Sequence, residues 1–238
     1  METTCSSELY ACDTMRAVTG DTVRPGGLSI TRKAIDFCGL PAGASLLDVG
    51  CGTGASVEFL IKEYEIKATG IDPSQTMLAL GKKRNADLPL ISGKAEELPF
   101  ADHTMDAVLS ECCFSHFSDI NKAIQEFYRV LSPEGWLIIT DMYIKPNPSN
   151  TSKVTTAVSV NTFMDKDTVL HYIDKHGFRI MLWEDHTHEL KQLAIDIIMQ
   201  YGSMTNFWKA ASCSCNNCLA SENKDTKLGY YLLMARKK

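Results

Sequence analysis

The stretch Leu46-Leu47-Asp48-Val49-Gly50-Cys51-Gly52-Thr53-Gly54 runs an apolar strand straight into three glycines at alternate positions. Glycine lacks a Cβ and enters positive φ freely, so a strand ending this way turns tightly and leaves backbone N–H groups open to a ligand. An amphipathic segment follows, in which Val57, Leu60, Ile61 and Tyr64 give an inward stripe and Ser56 fits the cap of a helix. The next apolar run, Lys67-Ala68-Thr69-Gly70-Ile71, closes on Asp72 and then Pro73. That puts a carboxylate at a strand tip, where it accepts hydrogen bonds from both hydroxyls of a ribose. Together the turn and the acid read as a nucleotide-type cofactor site. Dinucleotide turns favour G-x-G-x-x-G with room for a pyrophosphate, whereas this one is G-x-G-x-G preceded by Asp48, so a diphosphate bridge is not the expected ligand.

The pattern on either side alternates. Strands are expected at 45–49, 67–72, 89–92, 105–110 and 135–142, with helices at 55–64, 75–83 and 119–131. An earlier helix starts near Thr31, with Ile30, Ala34, Ile35 and Cys38 on its apolar face, and Gly39 and Pro41 end it. The helix after Ser118 carries Ile120, Ala123, Ile124, Phe127, Val130 and Leu131 on one face, a core stripe and not a ligand box. Beyond a turn-rich break at 146–152 come a helix at 165–175, a strand at 177–184, a helix at 188–204 and a last strand at 228–235. Alternating β and α implies an α/β, Rossmann-like, doubly wound and mostly parallel seven-stranded sheet with helices on both faces. The chain reads as one domain: an N-terminal helical cap over 1–40, a cofactor-binding core over 44–145, a substrate-side insertion over 146–226 and a final strand over 228–236.

Asp48-Val49-Gly50-Cys51-Gly52-Thr53-Gly54 closely resembles the first motif of class I S-adenosylmethionine-dependent methyltransferases, and Gly70-Ile71-Asp72-Pro73-Ser74 resembles their second. Ser92-Gly93-Lys94-Ala95-Glu96-Glu97-Leu98-Pro99-Phe100, with Met105-Asp106-Ala107-Val108 after it, is similar to the adenine-binding segment and fourth strand of the branch that includes the ubiquinone and menaquinone biosynthesis methyltransferases. Arg129-Val130-Leu131-Ser132-Pro133-Glu134-Gly135-Trp136 resembles the turn before that branch's fifth strand. The resemblance spans roughly residues 44 to 145 in the expected order, and it would place the last strand antiparallel at the sheet's edge.

The resemblance implies roles residue by residue. Gly50 and Gly52 admit the methionine part of the cofactor, with Cys51 between them as a small apolar filler, and Asp48 holds the turn or the amino group. Asp72, with Pro73 after it, takes the ribose hydroxyls, and Met77 contacts the adenine. Ala95 offers its backbone N–H to an adenine nitrogen. Relatives often carry an Asp just before that alanine where this chain has Lys94, so the exocyclic amine needs another acceptor, with Glu96 the nearest. Arg24, beside Gly26 and Gly27, either closes over the cofactor carboxylate, which a guanidinium matches geometrically, or belongs to an ordinary surface loop. Methyl transfer from a sulfonium expels a neutral thioether, so positioning, desolvation and the acceptor's protonation state supply most of the catalysis. A base, where one is needed, belongs at the tip of the fourth strand among Ser110, Glu111, Cys112 and His116. His116 also fits a histidine at a helix start bonded to backbone, and Glu111 and Ser110 also fit cofactor contacts.

A formal net charge of −5 with no basic run argues against nucleic acid as a partner. No apolar stretch reaches the roughly 18 to 20 residues that span a bilayer, and the N-terminus lacks a leader pattern, so the expectation is a cytoplasmic monomer or homodimer acting on a small molecule. Nine cysteines, an odd count in a chain too large to need staples, read as reduced thiols. Cys213, Cys215 and Cys218 form a C-x-C-x-x-C cluster that fits zinc or another soft metal, a reduced loop or redox chemistry. The leading expectation is methyl transfer from S-adenosylmethionine to a small-molecule acceptor. The alternative is an S-adenosylmethionine-binding metal or metalloid protein, a metalloid methyltransferase or a sensor without turnover, built on that cluster.

Overall fold

The computed structural model describes residues 13–146, 163–211 and 227–238. After a short helix α1 (Asp13–Thr19) and a 3-10 turn (Gly20–Thr22) come α2 (Gly27–Cys38), β1 (Ser45–Val49), α3 (Ala55–Tyr64), β2 (Lys67–Asp72), α4 (Gln75–Arg84), β3 (Leu90–Ser92) and β4 (Met105–Glu111). A 3-10 turn (Phe114–His116) leads to α5 (Ile120–Val130) and the long β5 (Leu131–Ile144). Then follow α6 (Lys166–Lys175), β6 (Phe178–Asp185), α7 (Thr187–Tyr201), α8 (Met204–Ala211) and β7 (Leu228–Lys237).

The strands form one seven-stranded sheet in the order β3-β2-β1-β4-β5-β7-β6. β1, β2, β3, β4 and β5 pair in parallel, and β7 pairs antiparallel with both β5 and β6. The antiparallel strand therefore sits one place in from the edge expected for it, and β6 is the edge. The order reverses between β1 and β4, and at such a switch point the loops leaving the two strand ends diverge and open a crevice.

Strand alternation builds two cores. Leu47, Val49, Val108, Leu137, Ile139 and Leu233 face one side against Ala123, Ile124 and Phe127 of α5 and Val169 and Ile173 of α6. Leu46, Ala107, Leu109, Ile138, Leu232 and Met234 face the other against Ile35 of α2, Val57 and Leu60 of α3 and Leu78 of α4. Period-two strands feeding two helical layers are what force residues on both sheet faces to be apolar. A third, smaller core joins Met15 and Val18 of α1 to Ile197 of α7 and Phe207 and Ala211 of α8.

Three local expectations change. α2 starts at Gly27, four positions before Thr31. The helix expected over 188–204 is α7, and the separate α8 has no counterpart in the sequence reading. Ile61 is exposed while Phe59 is buried, because α3 rests on the sheet slightly rotated from the expected stripe.

Gly81 of α4 shows how closely the helices sit on the site. A Cβ there would lie 2.2 Å from the Thr53 carbonyl oxygen in the glycine turn. In a free helix, Gly to Ala gains about 1 kcal/mol, but overpacking against backbone costs about 1–3 kcal/mol. Gly81→Ala is expected to lower unfolding free energy in a urea titration despite its better propensity.

Candidate cofactor site

The glycine turn occupies the switch point. Gly50, Gly52 and Gly54 have φ of +78°, +55° and +74°, all in the region that favours glycine. A Cβ on Gly50 would come 2.4 Å from Cys113 Sγ, and one on Gly52 3.2 Å from Met77 Cε. The turn is thus held open-backboned by neighbouring side chains as well as by its dihedrals. Cys51 points the other way, with its Sγ 2.6 Å from where a Gly70 Cβ would lie, and burial pushes its thiol pKa up, as befits a filler.

The carboxylates converge here. Asp72 Oδ2 accepts from Gly52 N–H at 2.9 Å and Oδ1 from Ser74 N–H at 2.8 Å, so the β2 tip fastens the β1 turn. Burial raises the Asp72 pKa, and these two N–H bonds oppose the rise. Asp48, 2% exposed, is pushed well up, first by burial, then by the charges of Glu111 and Asp72, with Arg24 opposing. Pro73 is exposed beside them.

Glu111 and Arg24 form a buried knot. Glu111 Oε2 lies 2.9 Å from an Arg24 nitrogen and accepts from Ser56 Oγ at 2.8 Å, while Oε1 accepts from Thr31 Oγ at 2.8 Å. Arg24 also donates to Thr31 and Ser56. Ser56 therefore does not cap α3. Gly54 stands at the cap position without a side-chain bond, and the Ser56 hydroxyl serves the knot. Both Glu111 oxygens are committed, an arrangement that suits holding Arg24 and the N-terminal segment rather than abstracting a proton. Arg24 Nε is buried without a partner, leaving one donor unspent at the site.

At the β4 tip, Ser110 Oγ is 3.1 Å from Cys113 Sγ, which donates to the Val49 carbonyl at 2.9 Å. Cys112 has φ +55° and turns the chain into the 3-10 turn that carries His116. The His116 ring reaches solvent, yet desolvation lowers its pKa, which favours the neutral imidazole. Ala95 is buried near Ile71 and Leu98, as an adenine wall requires. Glu96 Oε1 is taken by Ser118 N–H, Ser118 Oγ and Asp119 N–H, so that oxygen fixes the start of α5. Met77 is buried beside Gly52.

Further ties escaped the sequence reading. Thr53 Oγ donates to the Asp21 carbonyl, and Arg84 reaches both Asp21 and Thr53, stitching the N-terminal segment to the turn. Asp141, ending an apolar run as Asp48 and Asp72 do, was visible by the same pattern. Cys213, Cys215 and Cys218 lie outside the described residues. Among the described residues no group of three or more His, Cys, Asp or Glu could hold a metal ion, and no helix is long and apolar enough to cross a membrane.

Residues 47–139 match the model of the methyltransferase domain family. Demethylmenaquinone methyltransferase of Renibacterium salmoninarum is 34% identical over 125 residues, 52% of each chain. Phosphoethanolamine N-methyltransferase 3 of Arabidopsis thaliana is 27% identical over 178 residues, 72% of this chain and 36% of its own. The chain thus spans between a third and about half of the length of these relatives. Among solved structures, Haemonchus contortus phosphoethanolamine N-methyltransferase 2, in complex with phosphomonomethylethanolamine and S-adenosylhomocysteine, superposes with a TM-score of 0.75 at 22% identity, over 94% of this chain and 56% of that one. The cyclase SpnF superposes with a TM-score of 0.72 at 24% identity, over 98% and 93%. This chain's matched segment, residues 47–139, and its sheet topology are similar to those of class I S-adenosylmethionine-dependent methyltransferases. Its core is similar to the menaquinone branch of that class.

The residues fit that cofactor. The glycine cradle, an unspent guanidinium N–H and two carboxylates that form no ion pair among the described residues suit a ligand bearing a sulfonium, an ammonium and a carboxylate. The same charges would repel a diphosphate.

With side-chain exposures of 7% and 3%, the Arg24–Glu111 pair is a buried one, and removing one member leaves the other stranded. Arg24→Met is expected to cost about 3–5 kcal/mol in chemical denaturation, and adding Glu111→Leu to recover part of that loss.

Proposed function

We propose that this protein transfers the methyl group of S-adenosylmethionine to a small-molecule acceptor, and that the acceptor approaches from the side of the crevice bounded by the β4 tip. The observation that carries the reading is the electrostatic one. Asp48 and Asp72 are buried beside an open glycine turn, with Arg24 already spent largely on Glu111. A cationic cofactor relieves that imbalance, and no nicotinamide or flavin dinucleotide does.

The bound cofactor supplies an activated methyl carbon and a neutral leaving group. The chain supplies the rest. Asp72 takes the ribose hydroxyls, Gly50, Cys51 and Gly52 line the methionine part, and Asp48 faces its amino group. Arg24 offers Nε toward its carboxylate. Met77, Ala95 and Glu96 flank the adenine, and Ser110 and Cys113 close the far wall. His116, whose imidazole desolvation favours in the neutral form, would take a proton from the acceptor. The carboxylates beneath the turn are buried, so their interactions with a bound ligand are weakly screened. The helices α1, α7 and α8, sharing their own core, form the wall on the acceptor side.

The relatives support methylation as the chemistry, and they are named for different acceptors, so the acceptor is left open as a small molecule. The chain is expected to act in the cytoplasm, as a monomer or homodimer.

Calorimetry with S-adenosylhomocysteine tests the reading. Wild-type protein is expected to bind it and to ignore NADH. Asp72→Ala is expected to weaken binding by about 1–3 kcal/mol, roughly 5- to 150-fold in Kd. Unchanged affinity in that variant would remove Asp72 from the ribose site.

A further inference from the structure

Asp141 has no part in the roles described so far, yet it is among the most buried charged residues of the protein, at 1% exposure. It sits near the C-terminal end of β5, paired in register with Tyr231 of β7. Its Oδ2 accepts from Ser115 N–H at 2.7 Å, and its Oδ1 accepts from Met142 N–H at 2.7 Å and from Ser115 Oγ at 3.2 Å. One strand residue earlier, the Thr140 carbonyl accepts from Cys112 N–H at 2.7 Å. β5 therefore grips the 112–116 turn at both ends of its left-handed kink. That turn carries Cys113, lying over Gly50, and His116.

The groups facing the carboxylate are Cys112 and Cys113 from the turn and Tyr231 from β7, all neutral and all pushed up by burial. No lysine, arginine or histidine pairs with Asp141 among the described residues. Its negative charge is met only by N–H and O–H dipoles. A buried carboxylate without a cation destabilises a fold, and an asparagine would cost less, so the charge calls for a reason beyond stability.

We propose that Asp141 is a positioning residue: its ionised carboxylate, by accepting from the Ser115 and Met142 N–H groups together, fixes the β4 turn so that Cys113 and His116 are presented to the cofactor's methyl group. The inference rests on the proposed function for what the turn faces, while the latch itself stands on the geometry of β5.

An asparagine at this position has one acceptor oxygen, and its amide NH2 would oppose the second N–H, so it keeps the shape and loses either the Ser115 tether or the Met142 bond that aims the carboxylate at it. Protonation of the aspartic acid does the same. Burial raises its pKa to about 6, against the N–H bonds that pull it down. The latch is therefore closed above that pH and loosened below it.

Nuclear magnetic resonance of the full chain provides the test. In wild-type protein the Ser115 amide signal is expected to move with a midpoint near pH 6, and in Asp141→Asn that step is expected to vanish. The shift of the His116 ring signal on saturation with S-adenosylhomocysteine at pH 7.5 is expected to fall several-fold in Asp141→Asn. Its melting temperature at that pH is expected not to drop. A general structural role would lower the melting temperature and leave the His116 response intact, and that result overturns the proposal. So does a Ser115 amide without a titration step, a measurement that needs only the wild-type chain and decides the matter if the variant misfolds. Failure of the wild-type protein to bind S-adenosylhomocysteine by calorimetry would count against the proposed function, and the Ser115 step would still decide the latch.

Discussion

Buried negative charge at adjacent strand ends is the constraint around which the rest of this molecule is arranged. β1, β2 and β4 each bring a carboxylate, Asp48, Asp72 and Glu111, into a space that excludes water. Such groups cost free energy unless each finds a countercharge or a set of donors. Glu111 finds Arg24, Thr31 and Ser56. Asp72 finds two backbone N–H groups. Asp48, at the base of the glycine turn, is left with the least, burial and the Glu111 and Asp72 charges being opposed only by the pull of Arg24.

The N-terminal segment depends on that arrangement. Arg24 reaches the knot only because the chain turns in at Gly26, where φ is +72° and a Cβ would strike Ile30 at 2.7 Å. Asp21 is tied at its carbonyl to Thr53 and at its carboxylate to Arg84. The segment 21–24 is thus fastened to α3, α4 and β4 by polar bonds, whereas α1 before it is fastened to α7 and α8 by apolar packing. A segment held by charge at one end and by hydrophobic contacts at the other has separable stabilities. The charged end is tied to the glycine turn and the apolar end to the small core of α7 and α8.

Most of the sheet was legible because both of its readable signals, period-two apolar runs and glycine or proline breaks, are local. β1, α3 and β2 match their expected limits for that reason. The position of β7 was not legible. Its sequence Leu228-Gly229-Tyr230-Tyr231-Leu232-Leu233-Met234-Ala235 is apolar at every place after the first two, which marks a strand buried on both faces but says nothing about which neighbours it takes. The run argues only against an edge, since an edge strand of that kind invites pairing with other chains; that β5 and β6 are its neighbours depends on contacts distant in sequence. In the site, the strand-tip acids could be read from position alone, whereas the partners of Ser56, Glu96 and Glu111 could not. Those depend on which oxygen meets which N–H across long sequence separations, and no local pattern encodes that.

The charge arrangement also divides the molecule by pH. Asp48, Asp72 and Asp141 have pKa values raised in the fold, chiefly by burial. For such groups the folded state holds its protons to higher pH than the unfolded state. Lowering the pH through the raised values toward the ordinary carboxylate value, from about 6 toward 3.8 for Asp141, therefore favours folding. Outside the crevice the sign reverses. Glu58 is held at about 2, first by its hydrogen bond to Lys62 and with help from Arg84, and the Lys145 and Thr187 bonds outweigh burial at Asp185 to hold it low. Those groups lend stability at neutral pH that is lost on acidification. At neutral pH the periphery thus supports a strand-end cluster that is itself unfavourable. A cationic ligand entering the crevice would remove the cost where it is greatest and stabilise the fold by binding, so the strain in the free protein becomes part of the affinity for its cofactor.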